Sequence, residues 1–347
     1  MTVDMHVATV GHEHSAMDSH EKLGGSLAGK DSQHDIYFDA DARSSDTRSS
    51  RSSAHGMRSL VPQEQQDIVR AALKGESECC DDETLCRFIR ATGGNLPLTI
   101  KRLLHTLKWR REFEPTQAVC PACTKNTRSH YMHVAAFDKV KRPTIYSCLA
   151  LAHNRNIHDS YTHLVQQFEL ATALMIPGVS DSWVWICDFQ GFGLVDCDPR
   201  MAKIFLSMSS EHYPERLGLF LIVGAPMMFN ILWKAISPFI DPKTFRKIRF
   251  LPMDYNAAKP TKPCQVKAEL ALHYEPASVE WLLTEMTENR DRKITPTKTF
   301  SVPALYTHAM AGTLSPTPGH DPRGTNDILA AFARLPHLLQ PQGEAKP

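Results

Sequence analysis

The sequence predicts an α/β fold, with a small N-terminal helical lobe packed on a mainly parallel sheet flanked by helices. Three observations lead there. Four short apolar runs, residues 144–149, 183–189, 219–223 and 248–251, read as buried strands, and amphipathic stretches separate them, the pattern of strands joined by helical crossovers. Helical periodicity alone precedes the first of these runs. Apolar residues make up 42% of the 347, enough to bury a full core.

Taken in order, residues 1–58 are rich in Ser, Asp, Gly and His and are expected to be a disordered tail. Its histidines, His6, His12, His14, His20 and His34, read as solvated side chains. The helical lobe is expected over 59–113. Ile68, Val69 and Leu73 give one helix face, and Asp81 or Asp82 caps a second helix carrying Leu85, Phe88 and Ile89. Gly93 and Gly94 end it, and Leu96, Ile100, Leu103, Leu104 and Leu107 mark a third helix running to Trp109. An α/β domain is expected over 114–290. Its helices carry Tyr161, Leu164, Val165, Phe168 and Met175, then Met201, Ile204, Phe205 and Met208 behind an Asp198-Pro199 start, then residues 227–240. Asp241-Pro242 opens a short further helix and residues 279–287 close the domain. Residues 291–347 are Pro-rich and read as a mostly disordered tail.

Composition excludes several classes. Lys plus Arg is 39 against 38 Asp plus Glu, so the basic excess of a nucleic-acid protein is missing and no nucleic-acid partner is expected. Nine cysteines, several inside apolar runs, fit reduced thiols in the cytoplasm. The N-terminus lacks the pattern of a signal peptide. Residues 217–233 are free of charge, but Gly218, Gly224, Pro226 and Asn230 interrupt them, so strand, turn and helix fit better than a membrane span. No Gly-x-Ser-x-Gly elbow and no phosphate-binding loop occurs, and Asp196 stands where the third glycine of a dinucleotide fingerprint belongs after Gly191 and Gly193, so an enzyme is not expected. Asp188, at a strand end, reads as structural.

Six motifs then occur in order. They are Leu85-Cys86-Arg87-Phe88-Ile89-Arg90-Ala91 with Lys108-Trp109-Arg110, Arg142-Pro143-Thr144-Ile145-Tyr146, Asp188-Phe189-Gln190-Gly191, Tyr213-Pro214-Glu215-Arg216-Leu217-Gly218, Ala225-Pro226 with Phe229 and Trp233, and Pro238-Phe239-Ile240-Asp241-Pro242-Lys243-Thr244 followed by Lys247-Ile248. In this order and spacing the chain, from about Leu60 to Leu283, resembles the CRAL-TRIO lipid-binding family, near its yeast phosphatidylinositol transfer protein branch. The resemblance implies an apolar lipid cavity floored by the sheet and closed by a mobile gate helix, here residues 227–240, with Tyr146, Phe229, Leu232, Trp233, Ile236, Phe239 and Ile240 at the cavity and gate. On spacing alone that stretch reads as a core helix. A gate has a physical reason: a 16-carbon chain holds to a bilayer by about 12 kcal/mol, at about 0.8 kcal/mol per methylene, so the protein must enclose it almost fully.

The resemblance further implies that Glu215, Asp241 and Lys247 hold a phosphorylated head group. The ordinary readings are an ion pair between Glu215 and Arg216 or another nearby base, and a solvated helix end at Lys247. Family members that bind phosphatidylinositol carry two hydroxyl residues where this chain has Trp183 and Trp185, and a basic pair where it has Thr92 and Gly93. The two indoles share a strand face and are expected to reshape the head-group end and favour another lipid or pose, the ordinary reading being that they pack against a helix. The implied function is binding and intermembrane transfer of a phospholipid, phosphatidylinositol or phosphatidylcholine; the alternative is a lipid-sensing module that recruits a partner. A monomer that meets membrane surfaces transiently is expected, with bound lipid as ligand and no required cofactor. Lys139, Lys141 and Arg142 read as a solvated turn, with attraction to anionic lipid as the alternative. Cys120, Cys123, His130 and His133 have the ligand types of a structural zinc site, with a tight spacing between the histidines. The reading taken is a loop with two free thiols and partly buried imidazoles.

Overall fold

A computed structural model describes residues 61–73, 75, 80–295 and 326. The expected tail over 1–58 lies outside the described residues, as does nearly all of 296–347. Helices α1 (Gln63–Ala72), α2 (Asp82–Ala91) and α3 (Leu96–Phe113) form the lobe. Asp81 caps α2 by accepting from the Thr84 amide, and Asn95 caps α3 by accepting from the Leu98 amide. Val69, Leu73, Leu85, Phe88, Ile89, Leu103 and Leu107 are buried on the expected faces, whereas Ile68 and Leu104, expected with them, are exposed.

The sheet follows the expected α/β pattern and has five strands in the order β1-β2-β3-β4-β5: β1 (Met132–Phe137), β2 (Pro143–Ser147), β3 (Trp183–Asp188), β4 (Leu217–Val223) and β5 (Ile248–Leu251). β1 and β2 pair antiparallel; the other pairs are parallel. Because β2 to β5 step in one direction, right-handed crossovers put every connecting helix on one face. That face carries α5 (Ile157–Leu174), α6 (Pro199–Glu211) and α7 (Phe229–Ile236), with α8 (Pro242–Phe245) leading into β5. The opposite face is left to α9 (Gln265–His273) and α10 (Pro276–Glu288). There Tyr274 and Thr144 share a hydrogen bond at 2.8 Å, and Asn289, just past α10, donates to the Tyr146 hydroxyl at 2.9 Å.

The uncharged stretch 217–233 is strand, turn and helix: β4, a turn at Gly224 with φ +64°, then α7. Among the described residues no helix is long and apolar enough to cross a membrane. The helix expected over 227–240 is shorter. It ends at Ile236, and Pro238 sits in a 3-10 turn over Ser237–Phe239, since proline supplies no amide to continue an α-helix. β1, α9 and the short α4 (Pro121–Lys125) are additions to the sequence reading.

Candidate functional site

The face under α5, α6 and α7 is aromatic. Alternation along β3 points Trp183, Trp185 and Cys187 to this side, and register adds Phe220 and Ile222 from β4 and Phe250 from β5. Trp183 stacks on Phe168 of α5 with centroids 4.6 Å apart. Trp185 meets Phe205 of α6 at 5.7 Å and donates its indole N–H to Ser147 Oγ at 2.9 Å. Both indoles are buried within the aromatic layer beneath the helices.

Helix α7 closes this face toward β5. Phe229 meets Phe189 edge-on at 4.4 Å and Trp233 meets Phe250 at 5.0 Å. Leu232, Ile236 and Ile240 pack against the same cluster. Phe239, expected on that inward stripe, points outward and is 81% exposed, because the 3-10 turn at Pro238 rotates it off the face. Met227 (88% exposed) and Ile231 (76%) also face outward. Tyr146 is a second correction. It lies on the α10 side of the sheet, donating to Asp188 Oδ2 at 2.9 Å, since strand alternation turns it away from the tryptophan face.

The three residues expected at a head group lie at the starts of β4 and β5, beside the start of β3. Lys247 donates to the Leu217 carbonyl at 2.8 Å, and the Trp183 amide donates to the Arg216 carbonyl at 2.7 Å. Asp241 caps α8 through the Lys243 and Thr244 amides, both at 2.9 Å. Burial raises its pKa, but those hydrogen bonds and the nearby Lys247 charge outweigh this and hold it below the ordinary carboxylate value. Glu215 is half-buried with φ +62°, a left-handed conformation uncommon for a side-chain-bearing residue. Arg216 pairs with Glu83 of α2 at 2.7 Å, so the Glu215–Arg216 pair of the ordinary reading is not the arrangement found. Of the turn cations, Lys139 donates to the Ala271 carbonyl at 2.7 Å and Arg142 pairs with Asp138 at 2.6 Å, so these two are tied to protein groups.

At the other end of the sheet Asp188 accepts from the Gln190 amide at 3.1 Å and takes a two-pronged contact from Arg290 at 2.6 and 2.9 Å. Tyr131 donates to Glu285 Oε1 at 2.8 Å within the same buried network. Arg290 and Asn289 lie just past the helix expected to close the domain, and no local spacing marked them.

The Cys/His segment assembles differently from its spacing. Cys120 and Cys123 flank the first turn of α4, and His130 precedes β1. The fourth group is His163 from α5, in place of His133. Cys123 Sγ lies 3.4 Å from both His130 Nδ1 and His163 Nδ1, and Cys120 Sγ lies 3.5 Å from His130 Nδ1. His133 instead turns its Nε2 to the His130 carbonyl at 2.8 Å, and burial, then the nearby His163, push its pKa well down. The Cys123 thiol, hydrogen-bonded to Cys120, holds Cys120 far below the usual thiol value; the same bond and burial push Cys123 up. A cavity of about 120 Å³ opens beside the His130 and His163 rings, with Met132, Leu149, Met201 and Phe205 on its walls.

Residues 127–270 match the family model described as the CRAL/TRIO domain. A CRAL-TRIO domain-containing protein of Schizosaccharomyces pombe is 28% identical over 60% of this chain and 21% of its own length. The Sec14 cytosolic factor of the same organism is 27% identical over 55% of this chain and 74% of its own. Phosphatidylinositol transfer protein PDR17 of Saccharomyces cerevisiae is 30% identical over 48% of this chain and 51% of its own. The chain thus spans about a fifth of the first relative and half of the third.

Proposed function

This chain carries a CRAL-TRIO domain over residues 127–270, and from that premise we propose that it withdraws one phospholipid from a membrane, holds it behind α7, and delivers it to another membrane. The observation that carries this reading is the two-sided apolar character of the segment 227–240. Phe229 and Trp233 are buried inward while Met227, Ile231 and Phe239 face solvent. An ordinary surface helix keeps one polar face. A segment apolar on both sides is suited to leave its aromatic bed and enter a bilayer, and exposed apolar clusters mark such contacts. The names of two relatives, a cytosolic factor and a phosphatidylinositol transfer protein, support the same reading.

Loading then requires movement. Phe229 and Trp233 are seated against Phe189 and Phe250, at 4.4 and 5.0 Å, so an acyl chain enters this face only when α7 and the turn after it swing outward. The head group would sit near Glu215, Asp241 and Lys247, and the indoles of Trp183 and Trp185 would set its pose.

Transfer of labelled phosphatidylinositol and phosphatidylcholine between vesicles tests the proposal, with native mass spectrometry of the purified chain to identify co-purified lipid. Catalytic transfer of either lipid is expected. Ile231→Asp with Phe239→Asp should slow it at least tenfold with little loss of stability, since both side chains are exposed and each forfeits about 1.5–3 kcal/mol of membrane burial. Tight one-to-one lipid binding without transfer would indicate a sensor instead, and absence of any bound lipid would end the reading.

A further inference from the structure

Four side chains from three separate pieces of chain converge beside α5, apart from the proposed lipid site. We propose that Cys120, Cys123, His130 and His163 bind a structural zinc ion, and that this ion pins the segment before the sheet to α5. A tetrahedral zinc with Zn–S of about 2.3 Å and Zn–N of about 2.0–2.1 Å has sulfur-to-nitrogen edges near ~3.5 Å. Three of the four S···Nδ1 separations are 3.4, 3.4 and 3.5 Å, and the four ligand atoms all lie within 4.8 Å of one another. Two thiolates and two imidazoles are a donor set that selects zinc over hard cations, and a complete protein set of four is the closed kind used for structure.

The surroundings orient both rings. His163 Nε2 lies 2.6 Å from the Met132 carbonyl, and His130 Nε2 lies 3.4 Å from Ser160 Oγ. Each ring therefore has an outer partner at Nε2 while its Nδ1 faces the thiols, the arrangement that fixes a metal-binding tautomer. Cys120, His130 and His163 are buried, and the cavity at the two rings offers the ion a way in. The segment also needs a fastener. α4 has five residues, too few to be stable alone, and an anchoring bond is made by the Cys120 amide to Gln166 of α5 at 3.0 Å. On binding, both sulfurs enter as thiolates, any proton they hold passes to solvent, and each sulfur forms a bond to the metal with no change of oxidation state.

The test is elemental analysis of the full chain purified from zinc-supplemented cells, with X-ray absorption at the zinc edge. The expected result is about one zinc per chain in a shell of two sulfurs and two nitrogens. Cys123→Ser should lower the zinc content at least fivefold, while Cys86→Ser, on α2, leaves it unchanged. Cobalt exchanged into the site should give the intense visible bands of tetrahedral Co(II) with a thiolate charge-transfer band. Strong chelation should lower the melting temperature by about 5 °C or more. If Cys123→Ser fails to fold, the absorption and cobalt spectra of the unaltered chain still decide. A metal-free chain, a shell without sulfur, undiminished zinc in a folded Cys123→Ser, or a Cys120–Cys123 disulfide by mass would each overturn the proposal.

Discussion

Asp188 illustrates what a single buried residue does here. Its carboxylate is fully enclosed, and it joins the Gln190 amide, the Tyr146 hydroxyl and both arms of Arg290. Removing one member of a buried ion pair leaves the other charge without compensation. Asp188→Ala should therefore cost about 3–5 kcal/mol in denaturant unfolding. Trp185 has a different kind of consequence. Truncating a large buried aromatic costs about 3–5 kcal/mol, so Trp185→Ser is best judged by a ratio that does not depend on the folded fraction. Under the proposed function, the phosphatidylinositol-to-phosphatidylcholine transfer ratio of that variant should rise. An unchanged ratio would make the indole a packing residue only.

Elements differ in how far their own sequence specifies them. α5 is capped by Asn156, whose side chain accepts from the His158 and Asp159 amides at 2.9 and 3.1 Å. Asn156→Ala should cost about 1 kcal/mol of stability, read from the urea midpoint. α9 is the opposite case. Its apolar residues Val266, Ala268, Leu270 and Leu272 alternate with a period of two, which suits a strand, yet the chain is helical because Val266 and Leu270 alone bury against the core. β1 has a weak apolar signal, with His133 and two alanines inside it. It forms because β2 offers an antiparallel partner and Gln167 of α5 accepts from the Val134 amide at 3.1 Å, covering part of its edge.

At the scale of the whole molecule, the motifs of the lobe and of the α/β domain meet one another. Arg87 donates to the Pro214 carbonyl at 3.2 Å, and Arg110 pairs with Glu169 at 2.9 Å, where the Tyr213 hydroxyl also donates at 2.6 Å. Trp109 of α3 stacks on His212 with centroids 4.0 Å apart and donates to the Tyr161 hydroxyl at 2.9 Å. Burial, then the charges of His105, Arg110 and Arg102, lower the His212 pKa from 6.5 to about 3, while Glu211 adjoins His105 on the outer side at 3.3 Å. The unfolded chain thus binds a proton between these values that the folded chain refuses. Stability from neutral His212 is present above about pH 6.5 and is lost as pH falls toward 3. By pH 5 the loss should be on the order of 2 kcal/mol. His212→Phe keeps the stack and removes the titration, so its stability should depend less steeply on pH over that range.

By itself the sequence determined the α/β class, the helices of the lobe, the four parallel strands and the inward stripe of α7. Each rests on a local cause: a side-chain period, an Asp or Asn cap, or a proline at a first helical turn. The tertiary structure decided what depends on chain segments meeting. Tyr146 faces α10 because register fixes its side of the sheet, and Arg290 reaches Asp188 across 102 positions of sequence. His163 displaced His133 from the Cys/His cluster because α5 crosses the start of β1, 40 residues after Cys123. Spacing along a chain carries no record of such a crossing; only the packing of helix on sheet brings those atoms together.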